Sequence, residues 1–329
     1  MDAIYALARP AARSQLACLI TKPGTSPLVM KTGRAVSPWS EPATWGGRLP
    51  RAGDTVIIPP GGRVVLDISP PPLKGLQVDG MLLFDDQDLN LSAGHILVHG
   101  EFRIGSATQP FLHHAIITLT SGGKADAIPG LGGKALAAAD GGQIELHGEW
   151  RDSRVKLGAS AELGADEIIV DRVTNWRPGD RLVLGSAGPR PLNTETRTIV
   201  AAYQNVIRLN EPLRHSYWGG LHVFPGGTLD QRAEVRLISR NIVVRGANTG
   251  EALYGGCVAA LPGGWLRLSG VEFTALGQPG RYAIHSHPAA DAAAVWMVGC
   301  SLHRNIQPGL LLMRRDPQLL EQNVVWDMG

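Results

Sequence analysis

Three cysteines in 329 residues, Cys18, Cys257 and Cys300, are too few and too irregularly placed for a disulfide framework or a zinc motif. The two in apolar, strand-like stretches, Cys257 and Cys300, read as core filler. Charge excess is also missing. Lys+Arg 31 against Asp+Glu 29 leaves +2, which excludes the dominant basic field of a dedicated nucleic-acid binder. No apolar run reaches the roughly 18 residues of a membrane-spanning helix. The first 35 residues carry Arg9, Pro10 and Arg13 and no continuous apolar stretch, so no standard secretory signal is readable. Helical periodicity is scarce as well. Its only candidates are an N-terminal stretch broken by Pro10 and the short run Ala135–Ala139 before Gly141.

What the chain has in abundance is punctuation. Gly 41 and Pro 23 make up about a fifth of it, while the hydrophobic share is an ordinary 44%. That composition fits a folded chain of short strands and frequent turns rather than disorder. Val64–Leu66, Met81–Phe84, His95–Val98 and Ala115–Leu119 are short apolar or alternating runs between Gly, Pro, Asn and Asp clusters. From Glu234 onward, candidate strands Asn241–Arg245, Leu266–Phe273, Arg281–His287, Ala294–Leu302, Leu310–Met313 and Gln322–Trp326 succeed one another. The major ones recur at roughly 20–28 residues, a spacing that suits the rungs of a parallel β-helix better than a sandwich with hairpin turns. One local pattern occurs twice: Arg51-Ala52-Gly53-Asp54 and Arg177-Pro178-Gly179-Asp180 each precede an apolar run. Gly-Asp predicts a tight turn whose carboxylate accepts backbone N–H groups, with a strand after it. The basic residues are 25 Arg and 6 Lys. Guanidinium forks suit carboxylate or sulfate groups on an acidic ligand, although a GC-rich coding sequence gives the same bias.

A long ordered pattern runs from Trp39 to about Leu119. It comprises Trp39, Trp45-Gly46-Gly47, Pro50, Gly53-Asp54, Val56, Ile58-Pro59 and Leu66-Asp67, then Leu73, Leu76, Val78, Gly80, Leu82 and Phe84. Ile96, Val98, Gly100, Phe102, Ile104-Gly105 and Pro110-Phe111 complete it. This resembles the G-eight domain. Further on, Trp176–Asp180, Arg232–Val235, Leu237–Arg245 and Gly280–His287 resemble the region C-terminal to that domain in fibrocystin-like proteins and in hyaluronan-binding and hyaluronidase relatives. Those relatives usually have Pro where Ala283 stands and an aromatic residue where Ser286 stands. The resemblance covers about residues 37–329. It implies an all-β chain, a β-rich G-eight domain capping a right-handed single-stranded parallel β-helix. It also implies a place outside the cell or at its surface and contact with hyaluronan or another acidic polysaccharide, with no nucleic-acid partner. The expected division is an unassigned segment at 1–36, the G-eight domain at 37–125, a connecting β-rich region at 126–233, and the β-helix at 234–329. Because the sequence stops at Trp326-Asp327-Met328-Gly329, where relatives continue, a truncated β-helix is expected.

The richest chemistry lies in Arg281-Tyr282-Ala283-Ile284-His285-Ser286-His287. Strand alternation places Arg281, Ala283, His285 and His287 on one face, with Tyr282 and Ile284 as the natural core residues. Two imidazoles can serve as acid and base or bind a metal, and Arg281 can neutralise a uronate carboxylate, with Asp291 just beyond. The competing reading is that these histidines bond to corner backbone and stabilise a turn. Asp291, Asp316 and Asp327 at successive corners could supply the carboxylate pair of a glycoside hydrolase. Arg304, Arg314 and Arg315 could stabilise the enolate-like charge of a lyase. Arg304, Arg314, Asp316 and Trp218 are the candidate substrate-binding residues, Trp218 by stacking on a sugar ring. Asp54 and Asp67 read either as architecture or as a calcium-type oxygen site. Two functions are compatible with these residues: a polysaccharide-binding protein that also depolymerises its glycan, or a non-enzymatic adhesion or matrix module.

Overall fold

The computed structural model describes residues 27–31, 36–120, 128, 131–185, 193–247, 254–278, 281–286, 294–306, 309–311 and 318–328. Alternation in the short strands sets the architecture. Thr55–Ile58 buries Val56 and Ile58 and turns Thr55 and Ile57 outward, and Arg63–Leu66 buries Val64 and Leu66 in the same way. Each such strand has only one apolar face and must find another coil to cover it. Parallel stacking solves this, and the described chain is all-β, a three-faced parallel β-helix.

Face A runs through Leu28–Val29, Thr55–Ile58, Leu73–Val78, the second half of Leu89–Val98, Ala135–Ala138, Cys257–Ala260, Ile284–Ser286 and Leu310–Leu311. Face B stacks Ser37–Pro38, Arg63–Leu66, Met81–Phe84, Glu101–Ile104, Gln143–His147, Trp265–Ser269, Ala294–Val298 and Gln318–Glu321. Face C begins with the first half of Leu89–Val98 and continues through Ala115–Leu119, Ile242–Gly246, Val271–Thr274, Ser301–Asn305 and Val324–Met328. Every pairing in these faces is parallel and in register. Val56, Leu76, Ile96, Leu136, Val258 and Ile284 therefore form one unbroken inward column, all fully buried. Burying each such side chain is worth about 1.5–3 kcal/mol.

The corner between faces A and B shows why glycine is abundant. Gly62, Gly80, Gly100 and Gly142 stack there, and the strand residues Met81, Glu101, Gln143 and Trp265 each donate N–H to the glycine carbonyl of the preceding coil. A Cβ on Gly100 would stand 1.9 Å from the Gly80 carbonyl oxygen, and one on Gly142 2.0 Å from that of Val98. No side chain fits between coils that close.

Between face B (Gln143–His147) and face C (Ile242–Gly246) of one coil, the chain leaves the solenoid and builds a separate antiparallel sheet. Its strand order is Arg154–Lys156, Glu234–Leu237, Arg181–Gly185, Thr194–Tyr203, Val206–Leu209 and Glu167–Ile169. A bridge between Leu157 and Val170 joins the first to the last, closing a small six-stranded barrel. The barrel has its own core, which includes Leu157, Trp176, Leu182, Leu184, Ile199, Tyr217 and Val235. The solenoid core is continuous from Met30 to Leu302. The boundaries thus run differently from the four-part division. The first coils, the stretch 135–147 and the coils after 242 share one core, and only the stretch from Arg154 to Leu237 stands apart. Among the described residues no helix is long and apolar enough to cross a membrane.

Candidate functional site

Of the expected histidine ridge, Arg281 and His285 are described, and His287 and Asp291 lie outside the described residues. Arg281 and Gln278 close a tight corner, Gln278 N–H to the Arg281 carbonyl at 3.0 Å and Arg281 N–H to the Gln278 carbonyl at 2.7 Å. The guanidinium donates to Gln278 Oε1 at 2.9 Å. This corner delays the strand to Ile284, so the expected alternation from Arg281 does not hold. Ala283 is buried beside Ile284, and Tyr282 is half-buried instead of lying in the core. His285 does point outward, half-buried, in register with Ala259 below and Leu311 above. Arg304 is exposed at the end of Ser301–Asn305, in the left-handed region with φ 51, and its carbonyl accepts N–H from Ala275 at 3.2 Å. It belongs to a corner of face C and not to the strand of His285. Arg314 and Asp316 lie outside the described residues.

The two acids of the opening coils are engaged by protein donors. Asp54 accepts from the Arg48 guanidinium at 2.7 Å and from Arg51 N–H at 2.9 Å. Its carboxyl sits below its ordinary range. Burial pushes it up, and those two hydrogen bonds and the nearby guanidinium charge outweigh that. Asp67 accepts from Ser40, through N–H at 2.9 Å and through the hydroxyl at 2.5 Å. Both are uses of a carboxylate as a turn or corner acceptor. Among the described residues no group of three or more His, Cys, Asp or Glu converges as a metal site would require. The second Gly-Asp turn repeats the first. Arg177 N–H donates to Asp180 at 2.7 Å, the Asp180 N–H returns to the Arg177 carbonyl at 3.1 Å, and a guanidinium, here from Arg151, completes the carboxylate.

Trp218 stands on the barrel at the foot of a hairpin formed by His222–Phe224 and Gly227–Leu229. Its indole is 51% exposed and stacks on His222 with centroids 5.1 Å apart and planes within 14°. His222 stacks in turn towards Phe224 at 6.4 Å and 18°, and Phe224 is 56% exposed. Three nearly parallel rings thus lie at the surface, flanked by exposed Leu221, Val223 and Leu229.

Two further constellations were not found from the sequence. The first joins barrel to solenoid. Glu272 on face C is buried and accepts from the Arg181 guanidinium, from Arg240 N–H at 3.0 Å and from His303 Nε2 at 2.9 Å. Burial pushes its carboxyl up, but the His303 hydrogen bond and the Arg181 charge bring it below the ordinary range. Arg240, enclosed by carbonyls of Leu237, Ser239 and Gly299, is lowered by burial to about 10. The second lies on the outward side of face B, where Trp265, Arg267 and Trp296 adjoin Glu101, Arg103 and Glu145. Its signal was the alternation within Trp265-Leu266-Arg267-Leu268 and Val295-Trp296-Met297, legible only once the register of separate coils was known.

A coiled β-solenoid whose opening turns are pinned by a glycine corner defines the class of protein. Residues 44–158 match the G8 domain family. It is 31% identical to human Fibrocystin-L over 350 residues, covering 89% of this chain, and 28% identical to Fibrocystin of Canis lupus familiaris over 88% of it. A G8 domain-containing protein of Dictyostelium discoideum is 27% identical across 88% of this chain and 27% of its own length. The chain spans only 8% of the length of Fibrocystin-L. Among solved structures, the tailspike gp61 of Pseudomonas phage phi297 aligns over 72% of this chain and 42% of its own, with TM-score 0.28 and 11% identity.

Proposed function

We propose that this chain is an extracellular or cell-surface polysaccharide-binding module. The observation that carries the reading is the open stack of Trp218, His222 and Phe224. A set of parallel rings left about half exposed keeps apolar surface in water and offers the flat face on which the C–H side of a pyranose packs. The likeness to fibrocystin-family relatives supports this location and polymer class, with a hyaluronan-like acidic glycan as one ligand to test. Binding without cleavage is the activity that the described residues can perform by themselves. Arg281 is tied to Gln278, and His285 is half-buried in its column. Depolymerisation by Arg281, His285, His287 and Asp291 is the second reading, and the outward direction of His285 favours it.

A glycan array probed with the full chain tests the first reading, together with Trp218→Ala and Phe224→Ala. Both variants are expected to keep the wild-type melting temperature and to lose about tenfold or more in affinity, roughly 1.4 kcal/mol. Retention of full affinity by both would overturn the stack as the binding surface. Product analysis of the same polymers decides the second reading, since new chain ends that vanish in His285→Ala would establish cleavage.

A further inference from the structure

The three faces of the solenoid differ in what covers their outer side. On face A, the outward residues Leu97, Ala135, Ala137, Cys257 and Ala259 are buried beneath Ile128 and Leu131. On face C, Glu272, Ser301 and His303 are buried against the barrel. Face B stays open. Its outward column, in register from coil to coil, reads Val65, Leu83, Arg103, Glu145, Arg267, Trp296 and Leu319. Trp265 stands two residues before Arg267 on the neighbouring column, which also carries Glu101 and Gln143.

The chemistry of this face is specific. The Arg267 guanidinium carbon lies 5.6 Å from the centroid of Trp265 and 5.3 Å from that of Trp296, so one cation braces both indoles. Trp296 is still 39% exposed. Arg267 also donates to Glu145, whose other oxygen meets Arg103 Nε at 3.3 Å, and Arg103 reaches Glu101 at 2.9 Å. Between Glu101 and Arg267 the charges therefore alternate and cancel, two guanidinium groups against two carboxylates. His147 closes the row, and burial holds its imidazole below its ordinary range, adding no positive charge near neutrality.

We infer that the outward side of face B, centred on Trp265, Arg267 and Trp296, is a second binding platform, and that its ligand is a neutral polysaccharide. It rests on the proposed function only in taking the ligand to be a polysaccharide. Indole surface accepts the C–H face of a sugar. Flanking carboxylates and guanidinium groups accept from and donate to hydroxyls, and their spacing repeats with the coil at about 4.8 Å. A uronate polymer would meet arginines whose charge Glu101 and Glu145 already offset, and it would be repelled by those same carboxylates. An uncharged polymer meets no such conflict.

The test uses the full chain in isothermal titration against a soluble neutral β-glucan, a neutral galactomannan and hyaluronan, at low and high sodium chloride. Variants are Trp296→Ala, Trp265→Ala and Trp218→Ala, each checked for an unchanged melting temperature. Support is binding of a neutral polymer that is insensitive to salt and weakened about tenfold or more by Trp296→Ala. Loss of all glycan binding in Trp218→Ala with none in Trp296→Ala or Trp265→Ala would overturn this platform and leave the barrel stack standing. Tighter, salt-sensitive binding of hyaluronan that Trp296→Ala weakens would overturn the neutral class. Neutral-polymer binding that survives the face-B variants would overturn the site.

Discussion

Glu272→Gln isolates what holds the barrel against the solenoid. The side chain is 4% exposed and serves three donors, the Arg181 guanidinium, Arg240 N–H and His303 Nε2. Glutamine keeps the volume and one acceptor oxygen, so about two of the three bonds weaken or go, and Arg240 loses its nearest buried countercharge. A hydrogen bond to a charged group is worth about 1.5–3 kcal/mol, which sets a loss of about 3–6 kcal/mol. The wild-type carboxylate also carries a desolvation cost that the amide escapes, and Arg181 is partly solvated, so the net falls to about 3 kcal/mol. For a chain of 329 residues that is a fall in melting temperature of about 4 °C. Thermal unfolding followed by circular dichroism measures it, and limited proteolysis of the links at 148–153 and 238–241 reports where the structure opens. The links should be cut sooner while the barrel core stays protected. A fall of less than about 1 °C with unchanged cleavage would refute the claim that this carboxylate clamps the two parts.

Four other outcomes are expected. Gly100→Ala should abolish soluble expression or cost about 4 kcal/mol or more, because its Cβ meets the Gly80 and Asp79 carbonyl oxygens, which are backbone and cannot yield; a near-native melting curve would show that the corner relaxes. Asp54, Asp79 and Glu272 all have carboxyls held below their ordinary range, so their contribution is complete above that range and is lost as pH falls through the folded values. The urea midpoint should therefore drop between pH 7 and pH 3, less so in Glu272→Gln, and a flat profile would contradict this. Asp180→Ala should destabilise by about 3 kcal/mol and Asp54→Ala by about 1, since Arg151 is buried whereas Arg48 is 44% exposed. Calcium should leave the wild-type melting temperature unchanged, and a calcium-dependent rise lost in Asp54→Ala or Asp67→Ala would restore the metal reading.

Legibility followed the range of the physical signal. The twin Gly-Asp turns were readable because a four-residue turn is a local event: Arg51–Asp54 and Arg177–Asp180 use the same N–H to carboxylate bond and each leads into a strand. The coils from Ile242 onward were readable as repeats because each renews the apolar alternation of the last. But Leu266–Phe273 and Ala294–Leu302 each cross a corner, at Gly270 and Gly299, that splits the expected strand between faces B and C, and Glu234–Leu237 belongs to the barrel. The barrel was not readable. Its strands Arg181–Gly185 and Thr194–Tyr203 alternate as any strand does, and nothing local distinguishes an antiparallel partner from a parallel one. Neither were the clusters at Glu272 and Trp296, which join residues 31 positions apart in one case and separate coils in the other. At Arg281 the parity argument failed for a definite reason, because the corner with Gln278 shifts the start of the strand to Ile284.

The position of the barrel explains how one chain carries two such different surfaces. It is inserted where Gln143–His147 leaves face B and Ile242–Gly246 enters face C, and both strands keep their coil partners in register, Ile144 with Leu266 and Ile242 with Ala115. The corner itself survives, since Asn241 Nδ2 donates to the carbonyls of Phe111 and His113 while its Oδ1 accepts Glu149 N–H at 2.9 Å. A loop whose ends are already fixed side by side by neighbouring coils adds little closure entropy however long it grows. The solenoid therefore tolerates an inserted domain at this corner without losing its column packing. The ring stack of Trp218 can change with the barrel while the face-B platform is held by coil register, and a substitution in one should leave the other's affinity intact.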